Sequence, residues 1–261
     1  MRRFHGYCLS APRSGTHSIS YIFEKACRSA HEPFASQTIQ LTLAYCKGEI
    51  DKSTLFNTLK KRDAVAQLDM EASHYLYHLS GALVELFPMA RFILTIRDPV
   101  SWIQSKVNQS IITSTPRFAI WQELEAFRCD RYNIKRPEKE KALANWKNVW
   151  LLASYFKYWS EHNATVLDRV PKERLLVFPI RELDRNVDKM CRFLGSDISP
   201  IELEMTRAHA GGTPKFIDLY SHMDRGLRRG TRGRALWRCR SPIDGSRPFF
   251  RLTSELMLAP C

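Results

Sequence analysis

No stretch of this chain approaches the roughly 18 consecutive apolar residues that a membrane span requires, so no transmembrane segment is expected. The start, MRRFHGYCLS, is basic, but its apolar part is broken within a few residues. It reads as the approach to a first strand, not as a secretory signal. The seven cysteines (Cys8, Cys27, Cys46, Cys129, Cys191, Cys239 and Cys261) form no CxxC pair. An odd, scattered set fits reduced thiols and a cytoplasmic setting. No group of Cys and His has zinc-ligand spacing, so no metal is expected. Internal repeats and long low-complexity linkers are also missing. So is the ATP-type phosphate-loop pattern GxxxxGK[ST].

What is present is enough apolar material for a real core: 44% of 261 residues. Short apolar runs alternate with helical patterns. YCLSAP (7–12) reads as a strand and HSISYIFEKACRSA (17–30) as a helix, with Ile19, Ile22, Phe23 and Ala26 on one face. HEPFAS (31–36) is a weak strand or its end, 37–61 is mostly helical, and AVAQLDM (64–70) is a third strand. YLYHLSGALVELF (75–87) is a helix that Pro88 ends, and RFILTIR (91–97) is the clearest strand. Helix follows to about 110, a long aromatic helix spans 140–163, RLLVFPI (174–180) is a fifth strand, and NVDKMCRFLG (186–195) is a helix ending at glycine. The alternation predicts an α/β fold with three layers, α/β/α, around a mainly parallel sheet of about five strands. The aromatic run Trp146, Trp150, Tyr155, Phe156, Tyr158 and Trp159 reads as core, and the charged stretch 128–141 as a solvated loop.

Ligands of such sheets bind outside the carboxyl ends of the strands. Polar residues gather there: Arg13 after the first strand, Glu32 at the second, Asp69, Glu71, Ser73 and His74 after the third, Arg97 and Asp98 closing the fourth. Strand, then PRSGTHS, then helix is a geometry for an anion. Helix-start N–H groups and the helix dipole favour negative charge, Gly15 permits close backbone approach, and Ser14, Thr16, His17 and Ser18 can donate hydrogen bonds. Arg13 adds a charge-assisted contact. Arg97 ends an apolar strand, where an unpaired charge is costly. Ser105, eight residues on, can turn back toward the same anion. The net charge of +13 and the arginine-dense, acid-free stretch 225–240 (RGLRRGTRGRALWRCR) point to an anionic partner.

With PRSGT (12–16) and Arg97 to Ser105 in view, the chain resembles the P-loop sulfotransferases that use 3'-phosphoadenosine 5'-phosphosulfate (PAPS). Their late basic-glycine loop is similar to RRGTRGRALW (228–237), with Arg228, Arg229 and Gly230, then Gly233 and Trp237. The resemblance implies one sulfotransferase domain over residues 1–261. Residues 1–200 would form the α/β core with the donor loops, and 201–261 a segment whose basic loop clamps the 3'-phosphate. It implies PAPS as donor, 3',5'-ADP as product, and no metal. The sulfuryl group would move in line to a small-molecule or glycan hydroxyl, with a homodimer allowed and no nucleic acid involved. It places Arg13, Ser14, Gly15, Thr16, His17 and Ser18 at the phosphosulfate. Arg97, Ser105, Arg228, Arg229 and Gly230 fall at the 3'-phosphate. Arg13 is the group for charge growing on the bridging oxygen. Departures are Arg13 where many members carry lysine, His17 where a second Thr is common, FPIREL (178–183) where a tyrosine near the adenine is often found, and a longer spacing to Trp237.

The acceptor hydroxyl must lose a proton, and two residues suit the base. Glu32 resembles the glutamate of the tyrosylprotein and bacterial branches. His74 resembles the histidine of the cytosolic branch, but without its accompanying lysine. Glu32 is the first choice and His74 the second, with Asp69 and Glu71 as supporting or acceptor-holding groups. Two alternatives remain at this level: a phosphoryl-transferring P-loop enzyme, and a non-catalytic basic protein that binds nucleotide or nucleic acid with steep salt dependence.

Overall fold

A computed structural model describes residues 2–112, 119–130, 138–145 and 149–196. Trp146, the turn at 211–216 and the basic loop with Arg228, Arg229, Gly230, Gly233 and Trp237 lie outside these described residues.

Five strands, β1 (Gly6–Cys8), β2 (Ser29–His31), β3 (Met70–Ala72), β4 (Arg91–Ile96) and β5 (Leu175–Pro179), form one sheet in the order β2-β3-β1-β4-β5. All four pairings are parallel. Cys8 stands level with Ala72 on one side and Ile93 on the other. Among the described residues, α-helices lie between and after the strands: α1 (Thr16–Glu24), α2 (Ala35–Cys46), α3 (Lys52–Ala66), α4 (Ser80–Leu86), α5 (Pro99–Ile112), α6 (Ala119–Cys129), α7 (Leu152–Arg169) and, after β5, α8 (Leu183–Leu194).

The period-two alternation of strand side chains divides the core into two layers. Tyr7, Phe92 and Leu94 point into one, with Ile39 and Leu43 of α2, Leu55 and Leu59 of α3, Trp102 and Ile103 of α5, and Tyr155, Tyr158 and Trp159 of α7. Cys8 and Ile93 point into the other, with Ile19, Ile22 and Phe23 of α1 and Val187, Met190 and Leu194 of α8. The result is three layers with helices on both faces, as the alternation of elements requires.

The third strand is shifted from its expected place at 64–70. Helix α3 runs on to Ala66, Gln67 closes it in a left-handed conformation, and β3 begins at Met70. Asp69 therefore lies at the amino end of β3, opposite the ligand edge. Its carboxylate accepts from the backbone N–H groups of Arg3 and Arg28 at 2.6 and 3.0 Å. It ties the sheet's lower rim rather than a site. The expected long helix over 140–163 is also divided. A 3-10 segment covers Glu138–Asn145, and buried Glu140 accepts from the Leu152 N–H at 3.0 Å, supplying a cap for α7 from twelve residues upstream. The helix expected at 75–87 opens with a 3-10 turn over His74–Leu79 before α4.

Candidate active site

The loop after β1 is built by its carbonyls. His162 of α7 donates from Nε2 to Leu9 O at 2.7 Å, and Trp102 of α5 donates from Nε1 to Pro12 O at 2.6 Å. Arg97 donates from Nη1 to Arg13 O at 3.0 Å, and the Thr95 hydroxyl donates to Ser14 O. Four carbonyls of the loop are thus held by side chains of β4, α5, α7 and the strand end at Arg97, and the Ser14 N–H closes a turn onto Ala11 O at 3.0 Å. Burial holds His162 neutral by pushing its pKa down to about 3, which suits a fixed donor to Leu9.

Arg13 and Gly15 have φ of 63° and 97°, and Gly15 is the N-cap of α1. A side chain at Gly15 would be strained by that φ and would also meet Ile180 Cδ1 at 2.1 Å. No side chain caps α1, and its first intrahelical bond runs from Ile19 N–H to Gly15 O, so the helix keeps an open amino end. Ser14 Oγ is buried with no hydrogen-bond partner among the described residues. An uncapped helix start, a glycine with no room for a side chain and an orphaned buried hydroxyl at one point would suit an anionic group such as a phosphosulfate, whose oxygens could accept from the helix N–H groups and the hydroxyl.

The two expected anchors meet. Arg13 donates from Nε to Ser105 Oγ at 3.0 Å, while Arg97 holds the Arg13 carbonyl, so Arg13, Arg97 and Ser105 form one connected cluster. Burial, and then the neighbouring Arg13 charge, lowers the Arg97 pKa. Two like charges are drawn together here at an electrostatic cost that an anion would offset. Pro99 opens α5, and Asp98 caps it by accepting from the Ser101 N–H at 2.9 Å, which fixes the helix that carries Ser105.

The second polar group lies past β2. Glu32 and Phe34 adopt φ of 53° and 52°, a costly arrangement for residues with a Cβ, and the loop is tied down on several sides. Glu32 N–H extends the β2–β3 ladder to Ala72 O at 3.1 Å. Arg62 and Tyr75 both donate to Pro33 O, at 3.1 and 3.2 Å. Arg62 is itself paired with Glu71 through two bonds of 2.6 and 2.7 Å, and Ser73 adds a third bond to Glu71. Glu71 is thus committed to holding the loop.

Glu32 Oε1 lies 3.2 Å from His74 Nε2 and 3.7 Å from His31 Nε2. Burial pushes the Glu32 pKa up to about 7, against the pull of Arg128 and Lys106. Burial, with Arg128 and Lys106 adding to it, pushes His74 well below the ordinary histidine value. Thr16 Oγ1 lies 3.0 Å from His31 Nε2, so His31 bridges the anion cradle and the Glu32 carboxylate. The His17 ring lies beside His31, tilted by 59° with centroids 5.1 Å apart.

The sequence reading singled out neither His31 nor the buried ions of α5 and α6. Lys106 pairs with Glu125 at 2.9 Å, and Glu125 with Arg128 at 3.3 Å. Arg128 was expected in a solvated loop and is instead wholly buried at the end of α6. The available signal was an arginine ending AIWQELEAFRC (119–129), a pattern with an apolar face. Among the described residues no group of His, Cys, Asp and Glu is arranged to hold a metal, and no helix is long and apolar enough to cross a membrane.

The family model described as "Sulfotransferase domain" matches residues 7–210. Among curated proteins, the "Ava biosynthesis cluster protein M" of Aspergillus versicolor is 30% identical over 142 residues, which is 52% of this chain and 50% of that protein, so the match spans half of the relative's length. Among solved structures, a sulfotransferase from Alicyclobacillus acidocaldarius aligns with a TM-score of 0.45 at 15% identity, covering 88% of this chain and 90% of that one. A sulfotransferase domain from the curacin biosynthetic pathway aligns with a TM-score of 0.41 at 15% identity, covering 80% of each chain.

Proposed function

The chain belongs to the sulfotransferase family, and from that premise we propose that it uses PAPS as donor and moves the sulfuryl group to an acceptor hydroxyl, with Glu32 taking the proton. One observation carries this reading: the open start of α1 and the Glu32 carboxylate are separated by a single side chain, His31, 3.0 Å from Thr16 and 3.7 Å from Glu32. In-line transfer requires leaving-group and acceptor sites that close together, on opposite sides of the moving group.

The donor supplies an activated sulfuryl group on a phosphate leaving group. The α1 N–H groups and the Ser14 and Thr16 hydroxyls hold its 5' end, with His17 and Ser18 at the same helix start. Arg13 places positive charge where the leaving oxygen becomes negative, so its contact strengthens in the transition state. Arg97 and Ser105 hold the 3'-phosphate, and Arg228, Arg229 and Gly230 belong to the segment we assign to clamping it. His74 serves as a donor to Glu32 Oε1, which leaves Oε2 for the acceptor proton. Phe34, 44% exposed beside Glu32, and partly buried Trp121, 5.7 Å from the His74 ring, offer apolar surface to the acceptor. The biosynthesis-cluster name of the Aspergillus relative accords with a small-molecule acceptor.

Titration with 3',5'-ADP, beside ATP with magnesium, tests the donor. At a hundredfold excess over Kd, binding stabilises by about 2.7 kcal/mol, or a rise of roughly 5–10 °C in Tm for a domain of this size. We expect that rise with 3',5'-ADP and transfer of label from PAPS to a hydroxyl panel. An equal rise with ATP and magnesium, without sulfuryl transfer, would replace this reading with phosphoryl transfer.

A further inference from the structure

The guanidinium of Arg128 is enclosed on all sides. It lies over the rings of Tyr77 and Tyr158, 5.7 and 5.0 Å from their centroids, and Nη1 donates to Glu125 at 3.3 Å. Nη2 lies 3.1 Å from His74 Nδ1. A guanidinium only donates and keeps its protons throughout the working range of a protein. His74 Nδ1 must therefore present its lone pair to Arg128, and the ring proton must sit on Nε2. That is the nitrogen 3.2 Å from Glu32 Oε1. Donation runs in one direction, from Arg128 through His74 to Glu32.

We propose that Arg128 is a positioning residue for sulfuryl transfer: it fixes His74 as the Nε2–H tautomer, so that the ring holds the Glu32 carboxylate and cannot itself act as the base. This rests on the reading of Glu32 as base. Glu32 is faced by His31 from β2, His74 and Tyr75 from the 3-10 turn, Lys106 from α5 and Arg128 from α6. The two cations favour its ionised form, so loss of the Arg128 charge raises its pKa and moves the acid limb of kcat to higher pH.

The tautomer can be read without activity. Proton–nitrogen correlation spectra of the full chain, labelled with nitrogen-15 in histidine, are expected to show His74 with Nε2 protonated and Nδ1 bare throughout about pH 5 to 8. A proton on Nδ1, or an imidazolium titrating in that window, would overturn the Arg128 assignment and leave Glu32 as base. Kinetics give a second arm. Gln at 74 can donate from the Nε2 position, whereas Asn reaches only the Nδ1 position. His74→Gln should stay within about tenfold of wild type. His74→Asn and Arg128→Met should lose roughly 10–100-fold in kcat, the equivalent of one hydrogen bond to a charged group, with little change in donor KM. Arg128→Lys, which keeps a donor and the charge, should recover part of the loss and restore the acid limb. If Arg128→Met does not fold, the wild-type spectrum and Arg128→Lys still decide. His74→Gln as inactive as His74→Ala would overturn the donor role. Full activity in Glu32→Gln would overturn the base and this proposal with it.

Discussion

Glu32 carries a stability cost that its proposed role explains. Its pKa in the folded protein, raised from 4.5 to about 7, means that the folded state holds a proton the unfolded chain gives up. Stability therefore falls as pH rises from about 4.5 to 7, by roughly 3 kcal/mol in the limit, and is level above that window. Glu32→Gln removes the titration. Thermal melts should show the variant near wild type at pH 4.5 and more stable at pH 8, while turnover drops by about 10²–10⁴-fold. A variant no more stable than wild type at pH 8 would mean that the carboxylate is not desolvated as the structure has it. Gly15 gives a second residue-scale prediction. Gly15→Ala meets both a left-handed φ and Ile180, so 3',5'-ADP binding should weaken at least tenfold. Unaltered binding would count against the cradle. The special backbone at Gly15 was legible in the sequence, as a glycine between a strand and a helix, and the structure gives it a φ of 97°. Arg128 was less so: the apolar face of AIWQELEAFRC marks a helix, but it does not tell whether the arginine near its end is buried or begins the charged connection that follows.

At the scale of elements, the two loops that bear the site are held by different parts of the scaffold. The loop after β1 hangs from β4, α5 and α7 through Thr95, Trp102 and His162. The loop after β2 hangs from α3 and the 3-10 turn through Arg62 and Tyr75. Damage to one should spare the other. Glu71→Gln leaves the Arg62 cation buried with half its partner, and breaking a buried pair costs about 3–5 kcal/mol. We expect a large fall in Tm and in kcat, since the Glu32 loop loses its clamp, with 3',5'-ADP affinity within about threefold at temperatures where the protein stays folded. A matching collapse of donor affinity would show that the loops are not independent. Strands and helices themselves were readable from apolar runs and their periods. Their ends were not: α3 overran the expected third strand because its polar, lysine-rich surface gives no stop signal before Gln67, and that error alone moved Asp69 to the wrong edge of the sheet.

For the whole molecule, strand order decides what can meet. Placing β1 between β3 and β4 sets the loop after β1 at the switch point of the sheet, where successive connections leave in opposite directions, the position at which sheets of this kind bind ligands. Sequence alternation predicts the layers, but strand order is set by packing between distant segments and leaves no local trace. For that reason Arg13 and the Arg97–Ser105 pair were read as two separate groups, whereas the structure joins them in one cluster. Their contact has a measurable consequence. If Arg13, Arg97 and Ser105 grip one molecule as a unit, the losses from Arg13→Ala and Arg97→Ala cannot add, because removing Arg97 also releases the Arg13 carbonyl. Arg13→Ala should nearly abolish turnover and Arg97→Ala should mainly weaken donor binding. A double-mutant cycle on 3',5'-ADP affinity should then return a coupling of about 0.5–3 kcal/mol. Additivity within about 0.3–0.5 kcal/mol, the value for independent sites, would mean that the two arginines serve different ligands, and the single-donor reading of this edge of the sheet would fall.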